Sequence, residues 1–215
     1  MIRKLAYFLF ILFCIFYGFR LLVTRNAASD MTDFAAYIEA SHRLHVGEDI
    51  YNHRYDHEIY ERIHGEKAPD RWLYTMWYFY PPVLAAALIP LESIDYGSAR
   101  FIWLCLSYGA LLFSAYYLTR LGIKTLRSRI SEELIFCVTF LTMIHFQPIM
   151  QSFWEGQVNI FVLCALSSFL VYQCEGKLFS SGAALAVASI LKVTPGLLFL
   201  LPLFQKKWRT LYGAA

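Results

Sequence analysis

Residues 5–23, with the sequence LAYFLFILFCIFYGFRLLV, form a run of nineteen residues that is apolar almost throughout. As a helix this run would be about 28 Å long, close to the ~30 Å hydrocarbon core of a bilayer. Arg3 and Lys4 precede it, and basic residues stay preferentially on the cytoplasmic side. The chain is therefore predicted to begin in the cytoplasm and to cross the membrane. A cleaved signal peptide is the alternative, because a basic start, an apolar run and the small residues NAAS also fit one.

The rest of the chain is as apolar as this first segment. Hydrophobic residues make up 58% of the sequence and charged residues only 16%, which excludes an ordinary soluble domain. The five cysteines lie in or beside apolar stretches without CxxC spacing, so we interpret them as small core residues. The prediction is an all-α, polytopic transmembrane helix bundle in one integral-membrane domain, residues 1–215. Besides the first segment, the candidate membrane regions are residues 73–91, 100–118, 134–153 and 158–204.

Proline residues interrupt several of these regions. Pro81 and Pro82 predict a break followed by a short half-span, and the sequence LKVTP predicts another break near Pro195. The basic segments 120–129 and 205–209 should both be cytoplasmic. Both are on that side if one proline-broken segment is re-entrant. If residues 82–91 cross fully instead, the first basic segment lies outside.

The segment 24–72 is a polar loop between the first two membrane regions. It holds ten of the sixteen acidic residues and has a net charge of −4, whereas the remainder of the chain has +7. Its apolar residues recur every three or four positions before Gly47 and again before Gly65, which predicts two short amphipathic helices. Thr32 is a candidate cap for the first helix. We expect an extracytoplasmic loop whose two helices lie in the membrane interface and cover the bundle.

Five sequence elements occur in an order that resembles a known family. They are TDFAAYIEASHRLHVGEDIY, YFYPP, EGQVN, LKVTP and KKWR. In this order they resemble the polyprenyl-phosphate-mannose-dependent mannosyltransferases of glycosyltransferase family 87, in the C-type (GT-C) superfamily of membrane glycosyltransferases. Members of that family are expected to be longer than this chain. Residues 1–215 therefore resemble the N-terminal half, and the ending RTLYGAA suggests a fragment or a truncated reading frame.

The resemblance implies an enzyme of the cell envelope in the inner or plasma membrane. It would transfer a hexose, mannose in the family, from a polyprenyl-phosphate donor to a lipid or glycan hydroxyl at the extracytoplasmic face, with inversion. The expected partners are the bilayer, the donor and the acceptor, without nucleic acid. No cofactor is expected, and the sequence has no GxGxxG, Walker or DxD motif. The alternatives are a transporter or flippase, which would also have broken helices and an intramembrane lysine, and a non-catalytic scaffold.

Two charged residues carry the predicted chemistry. Asp33 matches the aspartate of the family's first outer loop, which the resemblance implies is the general base, and Asp30 is the second candidate. Lys192 lies within an apolar region, where a lysine normally lines a polar cavity with an anionic partner, so we expect it to contact the donor phosphate. The alternatives are a helix-start acid for Asp33 and a lysine whose ammonium reaches water for Lys192.

Polar and aromatic residues complete the predicted substrate site. Gln157 and Asn159 match the family's GQxN element, and their amides could hydrogen-bond to sugar hydroxyls. Tyr37 and Tyr51 match family positions, and Tyr80 of YFYPP could stack on a sugar, although these tyrosines also suit a pinned loop or an interfacial aromatic belt. No metal site is predicted. Two histidine pairs have spacings that could bind zinc without any supporting motif, namely His42 with His45 and His53 with His57.

Overall fold

The computed structural model describes residues 2–27, 29, 31–51, 54–55, 57–65, 67, 76–126 and 130–214. Eleven α-helices account for most of these residues. In chain order they are α1 Ile2–Asn26, α2 Thr32–Val46, α3 His57–His64, α4 Pro82–Glu92, α5 Tyr96–Leu126, α6 Glu132–His145, α7 Gln147–Glu155, α8 Asn159–Cys174, α9 Leu178–Leu191, α10 Leu200–Phe204 and α11 Trp208–Tyr212.

The remaining regular structure is small. A 3₁₀ helix, Thr194–Phe199, connects α9 to α10. Strands β1 (Arg54–Tyr55) and β2 (Met76–Trp77) form a two-residue antiparallel ladder. The prediction of an all-α membrane helix bundle is confirmed.

Within the described residues, two helices are long and apolar enough to cross a membrane unbroken. These spans are Tyr7–Arg25 in α1 and Tyr96–Thr125 in α5. Helices α6 and α7 meet the same test only as a pair, bent by 61°. The bend follows from Pro148, which has no amide hydrogen to donate to the carbonyl of Ile144 and therefore cannot continue α6. Only one of the predicted regions beyond the first thus forms an unbroken span.

The other apolar helices are short. Helix α8 has 16 residues and α9 has 14, so they are about 24 and 21 Å long, less than the ~30 Å of a hydrocarbon core. Helix α4 has 11 residues and begins at Pro82, as the half-span prediction requires. The predicted break after α9 is also confirmed, because α9 ends at Leu191 and the extended Lys192 precedes the 3₁₀ helix.

The two ends of the bundle carry opposite charge character. The start of α5 lies beside the segment that follows α1, since Arg100 Nη1 donates to the Ser29 carbonyl at 2.6 Å. At its far end, Arg120 pairs with Glu175 and Lys124 donates to the Cys174 carbonyl. We call the end with Ser29 and α2 the acidic end and the end with Arg120 the basic end.

The contacts of helix α4 show on which side of the bundle each of its ends lies. They therefore bear on whether residues 82–91 are re-entrant or cross the membrane fully. Before α4, Tyr80 packs on Tyr37 of α2 with ring centroids 4.9 Å apart, and at its end Glu92 bonds to His42 of α2. Both ends of α4 therefore stay beside α2 at the acidic end. The second basic segment lies with the first, because Lys207 Nζ donates to Gln173 Oε1 near the end of α8. This geometry agrees with the re-entrant interpretation.

Helix α2 differs from the prediction in one respect. It ends, as predicted, at Gly47 with a positive φ of 80°, but every residue from 33 to 41 is buried. Residues 33–41 are thus enclosed on all sides by the protein, which differs from the predicted amphipathic surface helix, whereas the location of α2 in the membrane interface stays a prediction. Thr32 is its first residue rather than its cap, since Met31, with φ 45°, precedes the helix. Helix α3 covers part of α2 through the buried residues Ile59 and Tyr60.

Candidate functional site

The start of α2 is tied to the rest of the bundle by hydrogen bonds. The Ser29 hydroxyl donates to the Trp154 carbonyl of α7 and accepts the Met31 amide at 3.1 Å. Tyr96 of α5 donates its hydroxyl to the Met31 carbonyl at 3.3 Å. Contacts to two separate helices therefore hold the turn that precedes Asp33.

Asp33 lies in the first turn of α2 and is only 5% exposed. The pKa of its carboxyl is raised from 3.8 to about 6, chiefly by burial and also by the nearby charge of Glu155. A hydrogen bond from Gln157 and the positive charge of Lys192 act in the opposite direction. The result is a carboxylate that is ionised at neutral pH yet basic enough to accept a proton.

A chain of amide hydrogen bonds connects Lys192 with the acids. Lys192 Nζ donates to Asn159 Oδ1 at 2.9 Å, and Asn159 Nδ2 donates to Gln157 Oε1. Gln157 Nε2 then donates to Glu155 Oε2. Because the ammonium can only donate, Asn159 turns its oxygen to Lys192 and its NH₂ to Gln157, which leaves the Gln157 NH₂ for the carboxylates. Lys192 thus fixes which group donates and which accepts in each hydrogen bond of this series.

The turn between α7 and α8 brings these residues together. Gly156 adopts φ 71° and caps α7, and a Cβ built on it would lie 2.6 Å from the Phe34 Cβ. The Gly156 carbonyl accepts the Trp103 indole N–H at 2.9 Å, and Phe34 packs on the same indole with ring centroids 5.1 Å apart. Only glycine fits both the conformation and the close approach to α2.

The tyrosines of the predicted site form its wall. Tyr37 is 1% exposed, so it cannot stack on a substrate in this conformation, and its hydroxyl accepts the Val158 amide at 3.4 Å. Tyr80 is half-buried against Tyr37. Tyr51 donates its hydroxyl to the Tyr80 carbonyl at 3.1 Å. Tyr37 and Tyr51 therefore position the YFYPP turn, while part of Tyr80 remains accessible.

His42 and His45 of α2 both contact the carboxylate of Glu92. His42 Nδ1 is 2.7 Å from Glu92 Oε1, and His45 Nδ1 is 3.3 Å from Glu92 Oε2. The hydrogen bond from His42 lowers the pKa of Glu92, with a smaller effect from His45. In the part of the chain that the structure describes, no group of three or more metal-binding side chains occurs. Asp30, His53 and the His57 side chain lie outside the described residues.

Glu155 is a site residue for which no role was predicted from the sequence. Its carboxylate contacts both Gln157 and Gln151, and its charge acts on Asp33. One signal was available in the sequence, because an acid in the last turn of a helix is disfavoured by the helix dipole. An acid at the end of α7 therefore calls for local compensation, which the two glutamine amides provide.

Comparison with known proteins gives a match to a family model and two curated relatives. The sequence model of glycosyltransferase family 87 matches residues 78–215, which include Tyr80, Gln157, Asn159 and Lys192 and begin after Asp33. Two curated relatives, both named alpha-(1->3)-arabinofuranosyltransferase, come from Mycobacterium tuberculosis strains CDC 1551 / Oshkosh and ATCC 25618 / H37Rv. Each is 26% identical over 185 residues, covering 85% of this chain and 38% of the relative.

The chain thus spans about two fifths of the length of the curated relatives it matches. No solved structure matches it.

Proposed function

The chain belongs to glycosyltransferase family 87, and on that premise we propose that it acts in a membrane glycosyltransferase that takes a sugar from a polyprenyl-phosphate donor. The acceptor is a hydroxyl of a lipid or glycan at the extracytoplasmic face. One observation carries this proposal: the buried Asp33 and the cation of Lys192 lie at the same end of the bundle, joined through Gln157 and Asn159.

The reaction requires a base where the acceptor binds. The acceptor oxygen attacks the anomeric carbon while its proton passes to the Asp33 carboxylate, so that a C–O bond to the acceptor forms. The bond between that carbon and the phosphate oxygen breaks, and its electron pair leaves with the polyprenyl phosphate. Attack from the face opposite to the leaving group inverts the anomeric centre. A carboxyl pKa of about 6 suits Asp33 to this role, because it is ionised before the reaction and can hold the proton afterwards.

The departing phosphate requires a cation. Lys192 follows α9 in an extended conformation, and within the described residues its ammonium group donates one hydrogen bond, to the Asn159 oxygen. An ammonium has three hydrogens, so two remain for phosphate oxygens. This supports the role of Lys192 in binding the donor phosphate and stabilising the charge that develops on it. The lipid phosphate is the leaving group, so the proposed reaction uses no nucleotide and no cofactor.

The identity of the transferred sugar is a separate question within this proposal. The family resemblance implies a hexose, mannose, whereas the curated relatives are named for arabinofuranose. Both sugars present several hydroxyls, which the amides of Gln157 and Asn159 and the accessible part of Tyr80 could bind. Mannose and arabinofuranose are therefore the two donors to be compared.

The test is a transfer assay on membranes that contain the full chain. Radiolabelled polyprenyl-phosphate mannose and polyprenyl-phosphate arabinofuranose are supplied separately, and labelled lipid or glycan product is counted. We expect Asp33→Ala to lower transfer by at least about a hundredfold, because it removes the general base. Glu61→Gln serves as the control, since Glu61 is an exposed acid on α3. Undiminished transfer by Asp33→Ala would remove Asp33 from the mechanism.

A further inference from the structure

A cavity lies against helix α7, whose last residue, Glu155, acts on Asp33. It has a volume of about 290 Å³ and lies between the end of α1 and helix α7. Its lining consists of Arg25, Gln147, Met150, Gln151 and Trp154. Arg25 is the last residue of the first candidate membrane span, so the cavity opens near the boundary between lipid and water. Its volume is close to the lower limit of typical small-molecule sites.

The side chains around this cavity are of the types that bind sugars. Trp154 is 43% exposed, so its indole can pack on the C–H face of a sugar ring. The amides of Gln147 and Gln151 can each donate to and accept from hydroxyl groups. Met150 is 8% exposed and supplies an apolar floor. Together they provide an aromatic platform next to hydrogen-bonding amides.

The charges around the cavity favour a neutral ligand. Arg25 is the cation of the lining, but Gln151 Nε2 donates to Glu155 Oε1, so a carboxylate lies directly behind the Gln151 amide. This carboxylate would repel a phosphate placed against Gln151. A neutral polyhydroxyl ligand is not repelled by this carboxylate, and its hydroxyls can both donate and accept hydrogen bonds.

Glu155 connects this cavity to Asp33. One carboxylate oxygen accepts from Gln151, which lines the cavity, and the other accepts from Gln157, which also bonds to Asp33. We propose that this cavity binds a neutral saccharide unit of the acceptor and so directs a hydroxyl of the neighbouring unit to Asp33. This assignment rests on the proposed function for the identity of the acceptor. It adds a binding subsite, built on α1 and α7, to the catalytic residues of α2, α8 and α9.

The experiment measures saccharide binding without any donor, so that it does not depend on transfer. The full chain is purified in detergent, and binding of neutral arabino-oligosaccharides and manno-oligosaccharides is measured by saturation-transfer NMR. We expect at least one oligosaccharide to bind, and Trp154→Ala to weaken that binding by about tenfold because the stacking surface is lost. Trp154→Phe keeps a ring and should retain most of the affinity. Asp33→Asn should still bind the oligosaccharide.

Two matched controls lie at the basic end. Trp208→Ala removes a tryptophan that is 54% exposed, and Gln205→Ala removes an exposed glutamine, so both should bind saccharide like the unsubstituted chain. The proposal is overturned if no oligosaccharide binds, if Trp154→Ala leaves the affinity unchanged, or if inorganic phosphate displaces the saccharide. Saccharide binding that depends on Trp154 in a chain without transfer would support this subsite while contradicting the proposed function.

Discussion

Folding raises the pKa of the Asp33 carboxyl. Desolvation disfavours its charged form, and Glu155 adds a repulsive charge, so its pKa is raised from 3.8 to about 6. An ionised carboxylate in this position therefore lowers the stability of the fold. A shift of this size corresponds to about 3 kcal/mol at most, which is a large fraction of the stability of a typical domain. Such a cost is expected where a residue is retained for chemistry.

The sign of this effect predicts how stability depends on pH. Between a pH of about 4 and about 6 the folded chain binds more protons at Asp33 than the unfolded chain, so stability falls as pH rises through that window. Asp33→Asn should therefore raise the unfolding temperature at a pH of about 7.5, and the gain should shrink at a pH of about 4.5. Thermal melts in detergent measure both values.

The control for this prediction is Glu61→Gln. Glu61 is an exposed acid of α3, and its substitution should change the unfolding temperature little at either pH. A gain for Asp33→Asn that is equal at both pH values would contradict the assigned cause, since it would not come from an ionised Asp33.

At the level of elements, the turn between α7 and α8 positions the site. It places Glu155, Gln157 and Asn159 within six residues of one another and opposite α2. Its geometry depends on Gly156, where a positive φ coincides with contact to Phe34. Another glycine shows what the conformation alone requires. Gly176, at the end of α8, has φ 73° but nothing within 4 Å of a Cβ built on it.

These two glycines give a matched pair of substitutions. Gly176→Ala should cost only the strain of a left-handed conformation, about 1 kcal/mol. Gly156→Ala should cost several-fold more, because its Cβ would collide with Phe34 and push α2 away from the turn. The measurements are the unfolding temperature and the transfer activity of each variant. Equal losses of stability in the two variants would show that contact with α2 does not constrain the turn.

For the whole molecule, the separation of charge matches the arrangement of the helices. Helix α2 of the acidic loop lies with Asp33 and Lys192 at one end of the bundle, and Arg120, Lys124 and Lys207 lie at the other. On the basis of the positive-inside rule, we propose that the basic end faces the cytoplasm and that the candidate site faces the extracytoplasmic side.

Thiol labelling can test this orientation. Cys174 is exposed at the basic end, and it should react with a membrane-impermeant maleimide in inverted vesicles but not in intact cells. Glu61→Cys, at the acidic end, should show the opposite pattern because α3 packs on α2. Cys174→Ser measures the background from the other cysteines. Labelling of both positions from the same side would contradict the proposed orientation.

The helix boundaries and the candidate site could be predicted from the sequence to different extents. The stops of α2 and α3 at Gly47 and Gly65, the start of α4 at Pro82 and the break after α9 were all predicted correctly. These features depend on backbone chemistry within a few residues. The burial of α2 was not predicted, because periodicity shows which face is apolar but not whether a second helix covers the polar one. The roles of Asp33, Lys192, Gln157, Asn159 and the three tyrosines stay predictions.

The sequence by itself determined which segments are apolar enough to enter a membrane and where helices break, because apolar length, proline and glycine act locally. It also determined the separation of charge on which the proposed orientation of the bundle rests. Only the tertiary structure decided that Glu155 and Lys192 both act on Asp33, that Glu92 pairs with His42 and His45, and that a cavity adjoins Gln151. Asp33 is separated from Glu155 and Lys192 by more than a hundred residues in sequence, and such contacts depend on how all the helices pack together.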